Sequence, residues 1–299
     1  MNLFDALIVS MRPRQYTKNL LVLAALVFAR RLDDTILVSR AALAFVLFCL
    51  LSSAVYLIND VVDVEEDRRH PDKRDRPIAA GYLPPLVALI AAAMLAAVGL
   101  AGSFWINQGL GAVASGYLGL QLLYQFVFKY RVILDVFAIA GGFVLRAVAG
   151  AEAISVEISP WLLICTLLLA LFLGLAKRRG EMVLLEEGAH AHRRTLGKYS
   201  LYLLDQMIAV MTASTLMSYC LYTISERTVQ EVGSTRLMYT VPFVIYGIFR
   251  YLYLIHRRGE GGHPDRTLLT DRPLLVNVAL WVITAALILY FAPDGALQQ

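Results

Sequence analysis

The sequence predicts an all-α integral membrane protein of nine transmembrane helices. Three observations carry this. Of its 299 residues 59% are apolar and the mean hydropathy is +0.63, more apolar surface than a soluble fold can bury. The apolar residues fall into runs near the roughly 17–25 residues that cross a bilayer. Lysine and arginine divide unevenly between alternating loops, as they do where one side of a membrane retains positive charge.

In chain order, residues 1–14 read as an interfacial amphipathic segment, with an acid near the start and no small-residue cleavage site. The expected spans are 15–29 (short), 41–58, 83–106, 110–128, 132–151, 160–176, 203–225, 237–256 and 273–291. With nine spans, 21 of the 27 Lys and Arg fall on the side of the N-terminus, Arg193, Arg194, Arg258 and Arg266 among them. Five (Arg30, Arg31, Arg40, Arg227 and Arg236) fall on the other, and Arg146 lies inside a span. That asymmetry puts the N-terminus and the polar loops in the cytoplasm and the C-terminus outside. The three cysteines, Cys49, Cys165 and Cys220, sit in apolar runs without paired spacing, so they read as buried small side chains. A single domain over 1–299 is expected. Polar loops after the second and sixth spans hint at a duplicated helical unit.

The densest polar stretch is NDVVDVEEDRRHPDKRDRPIAAG, residues 59–81. Asn59, Asp63 and Asp67 recur every four residues, and Asp60 is three from Asp63. If the preceding helix continues to Asp67, all four share roughly one face. Carboxylates this close repel unless a cation lies between them. Oxygen ligands at this density suit Mg²⁺ shared with a substrate phosphate, with Asp60, Asp63 and Asp67 as the catalytic set. Lys73, Arg76 and the other bases behind them suit phosphate oxygens that a metal does not reach. The plainer reading is a solvated loop between two spans.

Elsewhere, Lys177, Arg178 and Arg179 with Glu181 form LAKRRGE at a helix end, explained either by the positive-inside rule or by phosphate binding. Tyr124 and Lys129 close the fourth expected span, Arg131 opens the fifth, and Asp135 and Arg146 lie within it. An intramembrane acid and base are costly, so they either pair with each other or face a polar site. Asp205, Asp271, Arg272, Arg14, Lys18 and Asn19 are further candidates for the same mouth. None of the five histidines has metal-ligand spacing. No Walker loop, Rossmann fingerprint or Ser-His-Asp order is present.

NDxxDxxxD at 59–67 resembles the first aspartate-rich motif of the UbiA-type intramembrane prenyltransferase superfamily, and the likeness runs over the whole chain. MRPRQYTKN (11–19), ILDVFAIAGGFVLRAVAGA (133–151), LLDQM (203–207) and TDRPL (270–274) extend it towards the superfamily's phosphoribosyl-transferring branch. Ordinary members carry a second acidic motif where this chain reads KRRGE. A basic loop there suits an additional phosphate better than a second metal. The resemblance implies a UbiA-type bundle with polar cytoplasmic cap loops in the plasma membrane. It implies Mg²⁺ on Asn59, Asp60, Asp63 and Asp67, and transfer from phosphoribosyl pyrophosphate to a polyprenyl (decaprenyl) phosphate, towards cell-wall arabinan. Substrate contacts are then expected from Lys18, Asn59, Lys73, Arg76, Tyr124, Lys129, Arg131, Asp135, Arg146, Lys177, Arg178, Arg179, Glu181 and Asp205. Two alternatives stay open: prenyl transfer to an aromatic or glycerol-phosphate acceptor, and an ion-coupled transporter using Asp135 and Arg146 as a relay. No nucleic-acid partner is expected. Small residues recur in every span, so a homo-oligomer is compatible with the sequence.

Overall fold

The computed structural model describes residues 1–71, 73–186, 198–257, 267 and 270–291. Arg193, Arg194, Arg258, Arg266, Asp72, His190, His192 and His263 lie outside them. The chain divides into two compact units, Met1–Ile158 and Ser159–Gln299. Eight helices of the described residues are long and apolar enough to span a membrane, four in each unit.

In the first unit, α1 (Leu3–Met11) buries Ala6 and Ser10 and exposes Leu3, Phe4, Ile8 and Val9. It ends where Arg12 turns left-handed, at φ 56°. The expected span 15–29 folds differently from the rest. Pro13–Leu23 is a 3-10 helix that runs into the short α2 (Ala24–Phe28). At 11 and 5 residues, neither piece has the length of the eight.

Helix α3 (Thr35–Val62) is started by Asp34, whose Oδ1 accepts from Ile36 N and Leu37 N at 3.0 and 3.1 Å. This satisfies donors that every helix start leaves open. After a bend at Asp63 comes α4 (Val64–Arg69). The spans α5 (Pro85–Ile106), α6 (Gln108–Phe126) and α7 (Leu134–Ile154) complete the unit. Water does not drive these helices together inside lipid, so close packing through small residues does. Ala88, Ala91 and Ala92 of α5 are buried with Ala54 and Leu57 of α3. Gly150 of α7 lies so near the 3-10 segment that a Cβ there would sit 1.9 Å from Val22 O. Only glycine fits that crossing.

In the second unit the spans are α8 (Pro160–Glu186), α9 (Leu201–Ile224), α11 (Val241–Arg257) and α12 (Arg272–Phe291). The short α10 (Glu226–Val232) and a 3-10 turn, Thr235–Thr240, link α9 to α11. Inside the unit, Tyr219 Oη accepts from Trp281 Nε1 at 2.8 Å and shares a 2.7 Å hydrogen bond with Thr240 Oγ1. The network leaves none of these three polar groups bare in an apolar layer.

Candidate active site

The end of α3 carries the expected face. The helical ladder passes through the bend: Asp63 N donates to Asn59 O at 2.9 Å and Asp67 N to Asp63 O at 2.8 Å. Asp60 and Asp67 are each 3% exposed and therefore need partners. Arg76 supplies one to both, its Nη1 lying 3.1 Å from Asp60 Oδ1 and 2.6 Å from Asp67 Oδ2. Arg12 also bonds Asp60 and stacks over the Tyr56 ring at 5.0 Å. Asp63 turns the other way, accepting from Gln125 Nε2 at 2.8 Å and Lys129 Nζ at 2.7 Å. The result is three carboxylates interleaved with three cations, drawn from α3, α4, the 76–81 return, α1's end and α6's end.

The return that brings Arg76 back is fixed locally. Ala80 N donates to Arg76 O and Tyr82 N to Pro77 O, both at 2.8 Å, and Gly81 closes the turn at φ +83°, where a side chain would be strained. Arg68 braces it, its Nε donating to Ala79 O at 3.2 Å while Nη1 pairs with Glu65 at 2.8 Å.

The structure brings Asn59, Asp60, Asp63, Asp67, Arg76 and Lys129 together. No three acids or histidines gather at metal-ligating distance among the described residues, because the cations stand between them. One atom points to an additional ligand all the same: Asn59 Oδ1 is buried without a hydrogen-bond partner. A buried amide oxygen beside Asp60 and Asp63 is the type of donor a hard cation takes.

Tyr124 and Lys18 are half-buried, Lys73 is half-buried and Arg131 is exposed. Asp135 is buried at the start of α7. Arg146, in the same helix, does not bond it. Its guanidinium bonds Asn19, the Gly142 carbonyl and Tyr117 instead, so the internal Asp135–Arg146 pair left open by the sequence is not formed.

In the second unit, Arg178 is buried and pairs with Glu181 at 2.7 Å, while Lys177 is half-buried. Arg179 Nε reaches Asp205 Oδ1 at 2.5 Å, and His256 Nε2 approaches the same oxygen at 3.4 Å. Arg250 forms a two-point pair with Asp271, at 3.1 and 2.7 Å. Sequence reasoning missed Arg12, Gln125 and His256 as partners. Arg12 had a signal in its place before the first apolar run; Gln125 and His256 had none.

Fold and site together define a polytopic helical membrane protein with a carboxylate-and-arginine cluster at the end of a span. The chain belongs to the UbiA prenyltransferase family, which it matches over residues 20–270. It is 35% identical to a decaprenyl-phosphate phosphoribosyltransferase of Mycolicibacterium smegmatis, over 97% of this chain and 94% of that protein. It is 38% identical to one from Corynebacterium glutamicum, over 98% and 89%. A solved UbiA homologue from Archaeoglobus fulgidus, bound to GPP and Mg²⁺, superposes with a TM-score of 0.72 at 16% identity, covering 95% of this chain and 99% of that one. At that identity the superposition bears on the fold.

Proposed function

We propose that this protein transfers the 5-phosphoribosyl group from phosphoribosyl pyrophosphate to decaprenyl phosphate, releasing pyrophosphate. The observation that carries the reading is similarity along nearly the whole chain to curated enzymes of that name. The carboxylate cluster on α3 and α4 supports it with suitable chemistry. Asn59, Asp60, Asp63 and Asp67 would hold Mg²⁺, and the unpartnered Asn59 Oδ1 fits that role. Bound there, the ion would neutralise charge on the departing pyrophosphate.

This chain's own side chains do the rest. Arg12, Arg76 and Lys129 already stand among the carboxylates and can turn from them to phosphate oxygens, exchanging one anionic partner for another. Held in this way, the donor's C1–O bond to pyrophosphate breaks as a phosphate oxygen of the lipid bonds C1. The electron pair leaves with pyrophosphate. A phosphate monoester is anionic at neutral pH, so the acceptor needs no strong base. Lys177, Arg178 and Arg179 are assigned to phosphate binding, with Glu181 and Asp205 holding Arg178 and Arg179 in place. Lys18, Lys73, Tyr124, Arg131 and Asp135 are assigned to the surroundings of the two substrates. We place the reaction on the cytoplasmic face of the plasma membrane; with residues 13–28 crossing as a ninth span, the N-terminus is inside and the C-terminus outside, and the product feeds arabinan synthesis.

The test offers the purified protein two donors in parallel: ribose-labelled phosphoribosyl pyrophosphate with decaprenyl phosphate, and a labelled prenyl diphosphate with an aromatic acid. Label entering the lipid phase from the first pair alone supports the reading. Product from the second pair alone would replace it with prenyl transfer.

A further inference from the structure

The polar face of α3 continues past the carboxylates into the span. Cys49, Ser52, Tyr56, Asn59 and Asp63 follow one another at intervals of three and four residues, a single helix face roughly 20 Å long. At its deep end stands Arg146, 5% exposed. Its Nε donates to Asn19 Oδ1 at 2.7 Å, Nη1 to Gly142 O at 2.8 Å and Nη2 to Tyr117 Oη at 2.8 Å. The Tyr117 and Phe143 rings lie 4.8 and 5.4 Å from its carbon. Asn19 is held in turn, its Nδ2 donating to Ser52 Oγ at 3.1 Å and Cys49 Sγ at 3.3 Å.

Every acceptor of this guanidinium is neutral. Three of its five N–H groups are used, and among the described residues no carboxylate pairs with it. Arginine does not shed its proton, and a buried cation without an anion is strongly unfavourable. The aromatic faces offset part of that cost. The charge thus stands in reserve, about 12 Å along α3 from Asp60 at the level of Ser52.

We propose that Arg146, oriented by Asn19 and Tyr117, is a subsite for a phosphate monoester of a substrate. The ligand is either the 5-phosphate of the donor, whose diphosphate lies at the carboxylates, or the phosphate of the lipid acceptor. This rests on the phosphoribosyl-transfer reading of the α3 face. It gives the polar stripe a purpose, since a diphosphate-only site would need polarity at the helix end alone.

The test uses the full-length protein in lipid nanodiscs, with ribose 5-phosphate, decaprenyl phosphate and pyrophosphate plus Mg²⁺ as separate probes. Arg146→Gln is expected to weaken one monoester about ten- to hundredfold, the loss of a charged hydrogen-bonding partner, while pyrophosphate binding is kept. Loss of ribose 5-phosphate assigns the subsite to the donor; loss of decaprenyl phosphate assigns it to the acceptor. Asn19→Asp is the second variant, because it places a carboxylate beside Arg146 and satisfies the charge internally. It is expected to show the same loss with the melting temperature kept or raised, whereas an arginine with a structural role only would keep full binding. Unchanged affinity for both monoesters in either folded variant overturns the proposal; if Arg146→Gln does not fold, Asn19→Asp decides. Monoester binding that depends on Arg146, without phosphoribosyl product from the wild type, would leave the subsite standing and remove the function.

Discussion

Lys129 Nζ lies 2.7 Å from Asp63 Oδ1, joining residues 66 positions apart in the chain. The contact ties the end of α6 to the joint between α3 and α4, so the acid at the centre of the candidate metal face is also a tertiary anchor. Lys129→Met removes the cation and leaves Asp63 with Gln125 alone. The expected outcome is a drop of about ten- to hundredfold in kcat/KM for the donor, the usual worth of a charged hydrogen bond. Steady-state kinetics over a donor titration checks it.

Arg76 bridges two buried carboxylates, so its removal is a stability event before it is a catalytic one. Arg76→Ala should cost about 2–4 kcal/mol, because Asp60 keeps Arg12 while Asp67 loses its ion pair to Arg76. Mg²⁺ bound at the proposed face would take over the same oxygens, so saturating Mg²⁺ should recover more melting temperature in the variant than in the wild type. Thermal unfolding in detergent with and without Mg²⁺ reads both.

The crossing at Gly150 gives a sharp packing contrast. Gly150→Ala drives a Cβ against Val22 O and should destabilise by roughly 1–3 kcal/mol. Gly116→Ala, in a helix where a Cβ meets nothing within 4 Å, should be neutral or slightly stabilising. Paired melting curves of the two variants decide whether the 3-10 segment is held by this approach.

Asp271 has two tasks. Its Oδ1 accepts from Leu274 N at 3.0 Å, starting α12, and both its oxygens pair with Arg250. Asp271→Asn keeps the cap and loses the charge; Asp271→Ala loses both. Costs of about 0.5–1.5 and 2–3 kcal/mol are expected, measured by chemical or thermal unfolding. Equal costs would show that the cap contributes nothing.

Much of the fold was legible because lipid imposes long apolar runs. Helices such as Pro85–Ile106 and Arg272–Phe291 start or stop within two residues of the expected limits. The first span was not legible as a 3-10 segment running into a short helix: over eleven residues a period of three is too close to the α-helical 3.6 to be told apart. At the site, the helical face Asn59–Asp67 was readable because it is local, set by a spacing of four. Its partners were harder. Arg12 and Gln125 meet Asp60 and Asp63 across 48 and 62 residues, and no periodicity encodes an approach of that kind. Arg146 was recognised as costly, yet its partners turned out to be an amide, a carbonyl and a phenol rather than Asp135.

The most direct measurement follows ribose-labelled phosphoribosyl pyrophosphate into the lipid phase with decaprenyl phosphate as acceptor, across a Mg²⁺ titration, for wild type and Asp63→Asn. The expected result is lipid-phase label that requires Mg²⁺ in the wild type and falls by at least about a hundredfold in a folded Asp63→Asn. Label that stays in the aqueous phase with active wild-type protein, or transfer that survives Asp63→Asn undiminished, would contradict phosphoribosyl transfer at the α3 carboxylates.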